Sequence, residues 1–221
     1  MNDVAHSNQK APSKLNHSEF SANSSEKSIK SNLQSYPAVI WDFRQPELDQ
    51  AAQRSYLKHI HESLLAKQHV SKGDYDYFTK QVELTPSDRH ILANWLLIVQ
   101  VEFKLTPETF QTTLSIIDRY LEIMPIEILQ FQLLGITAMF IASKIHELYP
   151  PMITDFVQVT KNSFSKDQIL KMEVQIMHTL DFELNCTIPA ALLESYSLAI
   201  DVYKDREVLV SACHHIDICL L

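Results

Sequence analysis

Apolar residues recur at helical spacing in five segments between residues 85 and 180, and three of these segments open with a helix start signal. The segment 85–88 (TPSD) supplies a capping residue, a proline at the first helical position and an acid at the third. The segment 106–108 (TPE) repeats this signal, and Ser165 with Gln168 forms a capping box. The pattern predicts helices that begin at these three places.

The segment from about Glu127 to Glu147 is apolar on nearly every side of its predicted helix. Such a helix has to be surrounded by other elements, so we expect it to form the axis of a helical bundle. Gly135, Ala138 and Ala142 fall at helical spacing within it, and their small side chains would let neighbouring helices approach closely. Gly73 and Gly135 are the only glycines in the chain, which together with the helical periodicity favours an all-α protein.

Further helices complete the predicted pattern. They run from Leu48 to Gln68, from Ile153 to Thr160, from Pro189 onward and from Asp205 to Leu221. Each predicted helix has an apolar face that should be buried. For the leading helix this face is Tyr56, Leu57, Ile60, Leu64 and Leu65, and for the bundle it includes Ile91, Leu92, Trp95, Leu96, Val99, Phe103, Phe110, Leu114, Ile117, Leu121, Ile169, Met172, Ile176 and Leu180.

Composition narrows the functional classes. The 221 residues carry a net charge of −8 without a basic cluster, so we expect no nucleic-acid partner. We find no uninterrupted apolar stretch of membrane length and expect no membrane partner. Cys186, Cys213 and Cys219 lack metal-type spacing, and their odd number fits a reduced compartment. No secretory signal opens the chain, so the expected location is the nucleus, the cytoplasm or both.

The first 36 residues are rich in Ser, Asn and Lys, which predicts a disordered tail, and the apolar residues from Tyr36 to Phe43 indicate a segment that docks on the following domain.

The chain has no Gly-rich phosphate loop, no nucleophile elbow and no Glu-x-x-His. The histidines at 59 and 61 and at 214 and 215 are predicted to be solvated helix residues. We therefore expect no enzymatic activity, no cofactor and no metal.

Four features stand in a fixed order between Asp88 and residue 173. They are Arg89 in the first helix of the bundle, the pair Asp118-Arg119 in the second, a small-residue apolar third helix that ends in ASK (142–144), and KME (171–173) in a later helix. In this order they resemble the cyclin box of the A/B-type mitotic cyclins. The resemblance implies a cyclin fold, which is a five-helix bundle around a central apolar helix with a preceding N-terminal helix.

The resemblance also implies a domain organisation and a function. Residues 1–36 would form the tail, residues 37–188 the N-terminal cyclin box with its leading helix, and residues 189–221 the incomplete start of a second cyclin domain. Proteins of this family are regulatory subunits without catalytic residues of their own. They bind and activate a cyclin-dependent protein Ser/Thr kinase in cell-cycle control by orienting the kinase C-helix.

By resemblance, Lys144 and Glu173 are the central pair of the kinase-binding surface. In cyclins the residues at these places make charged hydrogen bonds around the start of the kinase C-helix. The rest of the contact would come from Ile145, Glu147, Leu148, Met177, Phe182 and Leu184. The family pattern has two glutamates where this chain has His146 and Glu147, a departure at the edge of the surface.

The resemblance implies two further features. Arg89 and Asp118 would form an internal structural pair between the first two helices of the box. A surface groove that docks kinase substrates or inhibitors would consist of Ile91, Leu92, Trp95, Ile98, Phe131 and Gln132. Asp88, Ile98 and Phe131 replace the methionine, the acid and the leucine of the family pattern, so the preference for basic docking motifs is expected to change.

Three other interpretations compete with a kinase-activating cyclin. A cyclin-fold adaptor that serves as an interaction scaffold without kinase activation is the main alternative, although an adaptor has no need for Lys144 and Glu173. An α-solenoid requires self-similar repeats, and residues 48–221 contain no convincing one. An enzyme built on an all-α fold is the weakest, because the motifs that would mark its site are missing.

Overall fold

The computed structural model describes residues 50–68, 75–199 and 206–221, and within these ranges the protein is helical without a β-strand. The all-α prediction is confirmed. The helices are α1 Gln50–Lys67, α2 Pro86–Phe103, α3 Pro107–Ile123, α4 Ile128–His146, α5 Ile153–Val159, α6 Lys166–Thr179, α7 Pro189–Ala199 and α8 Arg206–Leu220, with a 3₁₀-helix at Tyr75–Thr79. The predicted tail and the predicted docking segment 36–43 lie outside the described residues.

Three helices begin where the sequence signals place them. At α2 the Asp88 amide donates to the Thr85 hydroxyl at 3.4 Å, and the Thr85 amide donates to the Asp88 carboxylate at 2.9 Å. Ser165 and Gln168 form the same reciprocal box at the start of α6. α3 also begins as predicted, but the side chain of its capping residue, Thr106, makes no capping hydrogen bond to its own helix.

The helix α4 is the axis of the bundle, as predicted. Leu134, Ile136, Ala138, Met139 and Ala142 are completely buried, and α2, α3, α5 and α6 all pack against α4, with α3 making the most extensive contact. The predicted inner residues of two neighbouring helices are also buried, namely Phe110, Leu114, Ile117 and Leu121 of α3, and Ile169, Met172 and Ile176 of α6 with Leu180 just after it. The core of the protein therefore lies along α4.

One expectation about α4 needs correction. Within the part of the chain that the structure describes, α4 is the one helix long and apolar enough to cross a membrane by length and composition, whereas the sequence analysis found no such stretch. However, 67% of this apolar window is buried inside the protein. The composition follows from the position of α4, because every side of a central helix faces other helices.

Gly135 marks a close crossing between α2 and α4. A Cβ atom added to Gly135 would lie 2.9 Å from Cδ1 and 3.0 Å from Cδ2 of Leu92, a buried side chain. Carbon atoms in favourable contact lie about 3.5–4.0 Å apart. Even a single methyl group at position 135 would therefore force Leu92 to move.

Replacing Gly135 with leucine should lower the free energy of unfolding by about 1–3 kcal/mol, because the added side chain overpacks the crossing. This loss should outweigh the gain of about 1 kcal/mol from removing a glycine within a helix. Urea denaturation measures the change. As a control, Gly135→Ala should be tolerated better in a Leu92→Ala background, where a cavity accepts the methyl group. Wild-type stability of Gly135→Leu would show that α2 and α4 do not meet closely here.

The leading helix α1 departs from prediction in its buried face. Tyr56, Ile60 and Leu65 are exposed, and only Leu57 and Leu64 of the predicted face are half-buried. The reason is that α1 packs mainly against one element, α7, so only a narrow stripe is covered. The helical periodicity predicted the helix correctly. An apolar face on a helix is buried, however, only where another element covers it.

His61 also departs from prediction, because it is not a solvated residue. Its Nδ1 atom lies 3.2 Å from the Ser195 hydroxyl oxygen, and its ring meets the edge of Tyr196 with centroids 4.9 Å apart. Nearby, the Thr187 hydroxyl donates to the Leu64 carbonyl at 2.7 Å. These contacts hold α1 to α7 and to the segment before it.

The helices α7 and α8 pack on α3 through a buried amide. Gln111 donates through Nε2 to the buried Asp217 carboxylate at 2.9 Å and accepts through Oε1 from the Ala190 amide at 2.8 Å. Leu220 and Leu221 pack against the main core. The placement of a domain boundary between residues 188 and 189 stays a prediction, but polar and apolar contacts join the two sides.

Candidate functional site

Lys144 and Glu173 meet at the surface between the last turn of α4 and the middle of α6. The Lys144 ammonium donates to Glu173 Oε1 in a close ion pair, and it also lies 4.1 Å from the centroid of the Phe140 ring. A cation over an aromatic face gains about 0.5–1 kcal/mol at an exposed site. Two separate contacts therefore hold the Lys144 side chain in one orientation.

The apolar residues predicted to surround this pair fall into two groups. Ile145, Leu148 and Phe182 are exposed, Leu148 with 84% of its surface accessible. Met177 and Leu184 are half-buried and pack against the main core. The first group can contact a partner without rearrangement, whereas the second group supports the surface from below.

Phe182 is exposed because of the backbone that follows α6. Asp181 and Phe182 have φ angles of 50° and 58°, in the left-handed region that residues other than glycine rarely adopt. The Phe182 amide donates to the Met177 carbonyl at 2.9 Å, which closes this turn. Such backbone strain concentrates at functional sites. The turn leaves the Phe182 ring in contact with His178, with centroids 5.5 Å apart, and 60% of the residue's surface accessible to solvent.

The sequence analysis missed other exposed apolar side chains in the same part of the chain. Tyr149 and Met152 follow α4, and Leu170 and Val174 flank Glu173 on α6, and all four are exposed. A partner that binds the ion pair would contact these side chains as well. The sequence does carry a signal for two of these exposed residues, because Leu170 and Val174 lie off the helical register of the predicted inner face of α6.

Glu147 is half-buried and contacts the start of α3. Its Oε1 atom accepts hydrogen bonds from the Thr106 amide at 2.7 Å, from the Thr106 hydroxyl at 3.1 Å and from the Thr109 hydroxyl at 2.5 Å. The preceding His146 lies with Nε2 2.7 Å from the Thr112 hydroxyl oxygen. The last residue of α4, His146, and the residue after it, Glu147, are thus both attached to α3.

A second carboxyl group, that of Glu108, lies in the same region. Burial raises its pKa above the ordinary range, and the carboxylates of Glu194 and Glu147 raise it further. A hydrogen bond to the Glu108 backbone partly offsets this effect. Acidic groups therefore accumulate where α3 begins, a place at which the helix dipole favours negative charge.

Arg89 and Asp118 form a bidentate pair inside the protein. Nε and Nη2 of Arg89 donate to the two carboxylate oxygens of Asp118, each at 2.9 Å. The Tyr77 hydroxyl donates to the same carboxylate at 2.9 Å, a partner that the sequence analysis did not include. Burial raises the pKa of Tyr77, and the Asp118 carboxylate raises it further. The Tyr77 hydroxyl thus stays protonated and acts as a donor.

Arg89 also reaches the end of α8. Its Nη1 atom donates to the Leu220 carbonyl at 3.0 Å, and His90 Nδ1 lies 3.1 Å from the Leu221 carbonyl oxygen. One guanidinium thereby links α2, α3 and α8. The Arg89 side chain is 13% accessible, and all of these hydrogen bonds lie within the protein.

The predicted docking-groove residues do not form one exposed surface. Leu92 and Phe131 belong to the buried core, and Ile98 is exposed. Ile91, Trp95 and Gln132 are half-buried. A docking role for this face stays a prediction, and only Ile98 and the half-buried residues could contribute to it directly.

Metal ligation finds no support in the ranges that the structure covers. Among their residues, no group of three His, Cys, Asp or Glu side chains is placed to hold a metal ion. Cys186 lies with its sulfur 2.9 Å from the Ser115 hydroxyl oxygen, and Cys213 is buried.

Comparison with known proteins identifies the domain. Residues 59–185 match the family model of the cyclin N-terminal domain. A G2/mitotic-specific cyclin-B1 from Carassius auratus is 43% identical over 127 residues, which are 58% of this chain and 32% of the relative. A G2/mitotic-specific cyclin-B from Marthasterias glacialis is 41% identical over 143 residues, which are 65% of this chain and 36% of the relative. The chain thus matches about a third of the length of these relatives.

A solved structure shares the fold. A viral cyclin from herpesvirus saimiri superposes with a TM-score of 0.62 at 22% sequence identity, and the match covers 75% of each chain. This likeness supports the predicted bundle around α4. Taken with the family match over more than half of the residues, it shows that the chain belongs to the cyclin family, as a cyclin-box protein of the mitotic type.

Proposed function

We propose that this chain binds a cyclin-dependent protein kinase and activates it in cell-cycle control. The observation that carries the proposal is the Lys144–Glu173 ion pair, which combines an exposed lysine with a half-buried glutamate and is flanked by uncovered apolar side chains. Isolated charge pairs on a surface contribute little to stability, so a pair held by additional contacts among such side chains favours a role in binding.

The proposed mechanism is orientation of the kinase. Lys144 has three N–H donors, and the ion pair uses one of them, so the others remain to bind carbonyl groups at the start of the kinase C-helix. Ile145, Leu148 and Phe182 would bury apolar surface against that helix. A fixed C-helix lets its own glutamate pair with the lysine that holds the nucleotide phosphates, which completes the kinase active site.

Replacing both Lys144 and Glu173 with alanine should weaken kinase binding about tenfold or more, because hydrogen bonds to charged groups are worth about 1.5–3 kcal/mol each. Kinase stimulation should fall in parallel, while thermal stability changes little. The measurements are the dissociation constant for each member of a panel of purified cyclin-dependent kinases, and phosphate transfer to a peptide substrate.

The matched control is Lys58→Ala with Glu62→Ala, which removes another exposed Lys–Glu pair, with a separation of 3.8 Å on α1. This control should bind and stimulate the kinase like the wild type. If the Lys144/Glu173 variant binds and stimulates the kinase like the control, the pair does not contribute to kinase binding. Binding without stimulation in the wild type would favour the adaptor role.

A further inference from the structure

The carboxylate of Glu147 supplies the cap that α3 lacks. Thr106 stands at the capping position of α3 but makes no side-chain capping bond to that helix. Instead, the Thr106 amide and hydroxyl and the Thr109 hydroxyl all donate to Oε1 of Glu147, at 2.7, 3.1 and 2.5 Å. A carboxylate at a helix N-terminus also interacts favourably with the helix dipole. The acceptor comes from a residue 41 positions further along the chain.

This cap fixes the segment that leaves α4. Glu147 is the first residue after α4, and its own amide still donates to the Ser143 carbonyl at 2.9 Å. Leu148 and Tyr149 come next and are 84% and 88% exposed. Few contacts of their own hold these two residues, so their position depends on Glu147 on one side and on the prolines at 150 and 151 on the other.

We infer that Glu147 is a positioning residue for the partner-binding surface, which holds Leu148 and Tyr149 in place through α3 without touching the partner itself. The inference rests on the proposed kinase binding for its functional consequence. It changes the role expected from resemblance, in which Glu147 belongs to the contact surface. The reason for the change is that one carboxylate oxygen already accepts three hydrogen bonds within the protein.

The test compares the two ends of the same contact. Glu147→Ala removes the acceptor, and Thr109→Val removes one donor at a residue that is buried and cannot touch a partner. Each should weaken kinase binding about three- to tenfold, the range that corresponds to the loss of one or two net hydrogen bonds. The double variant should be no weaker than Glu147→Ala alone, because both changes break one contact.

A second measurement does not use the kinase. The amide of residue 147 donates to the Ser143 carbonyl at 2.9 Å at the point where the chain leaves α4, so it is protected from exchange. Its hydrogen exchange should accelerate in both single variants, because local opening no longer has to break the cap. Thr113→Val is the matched control, since the Thr113 hydroxyl donates to the Thr109 carbonyl within α3 at 2.7 Å. It should change neither exchange nor binding. Glu147→Gln keeps one acceptor oxygen, so its exchange rates and its kinase affinity should lie between those of the wild type and those of Glu147→Ala. Such a graded effect would argue against general unfolding as the cause.

Different results separate this inference from the proposed function. If Glu147→Ala weakens binding while Thr109→Val and the exchange rates stay at wild-type values, Glu147 contacts the partner directly and the inference is wrong. Additive effects in the double variant lead to the same conclusion. If no kinase binds the wild-type chain, the proposed function fails. The exchange rate of the residue 147 amide then still decides whether the Glu147 side chain positions the segment that leaves α4.

Discussion

Replacing Asp118 with alanine should lower the free energy of unfolding by about 3–5 kcal/mol, because removal of one partner leaves the Arg89 guanidinium buried without its carboxylate. Both side chains are nearly covered, with 13% and 12% of their surface accessible. The buried Tyr77 hydroxyl loses its acceptor in the same variant. Urea denaturation with a two-state fit measures the loss.

The matched control removes the whole polar cluster. A variant with Asp118→Leu, Arg89→Met and Tyr77→Phe leaves no buried charge and should recover most of the lost stability, as apolar replacement of buried ion pairs often does. If Asp118→Ala lies within about 1 kcal/mol of the wild type, water reaches the Arg89 guanidinium and screens it, and the pair counts as a surface contact.

Removing residues 191–221 should destabilise the bundle by about 4 kcal/mol or more. The deletion takes away Leu209, Leu220 and Leu221, which are buried or pack on the core, and burial of one such side chain is worth about 1.5–3 kcal/mol. The division into domains at residue 188, which the family resemblance implies, leads to the opposite expectation, that the shortened bundle keeps its stability and aggregates less than the full chain. Thermal melting and light scattering of both proteins distinguish these outcomes.

Gln111 provides the internal control for this deletion. In the full chain, Gln111→Leu should cost about 1–3 kcal/mol, because it leaves the Asp217 carboxylate and the Ala190 amide without the bonds that the glutamine makes. In the shortened chain the Asp217 partner is gone, so the same substitution should be nearly neutral. Equal effects in the two backgrounds would show that α7 and α8 do not depend on this amide.

Local sequence signals predicted most of the secondary structure, because capping and periodicity act within one or two turns. The reciprocal cap of Thr85 with Asp88 needs only residues three positions apart, and α4 is recognisable because an all-apolar helix must be enclosed. The same reasoning predicted the close crossing at Gly135. Family resemblance then brought Lys144 and Glu173 together, which no local pattern could do.

Contacts between distant positions were not predictable from patterns. Glu147 caps a helix that begins 40 positions earlier, and Gln111 joins Asp217 across 106 positions. Neither partner carries a sequence feature that distinguishes it from an exposed residue. The prediction that the apolar face of α1 is buried was wrong for a related reason. Periodicity shows which residues share a face of a helix but not how many elements cover that face.

The orientation of Lys144 has a thermodynamic consequence. A free lysine side chain carries about 2 kcal/mol of rotamer entropy, which is normally lost when the ammonium binds a partner. Here Glu173 and the Phe140 ring restrict that side chain in the unbound protein. Association through Lys144 should therefore show a small unfavourable entropy in calorimetry, because the folding of α4 against α6 has already removed this freedom.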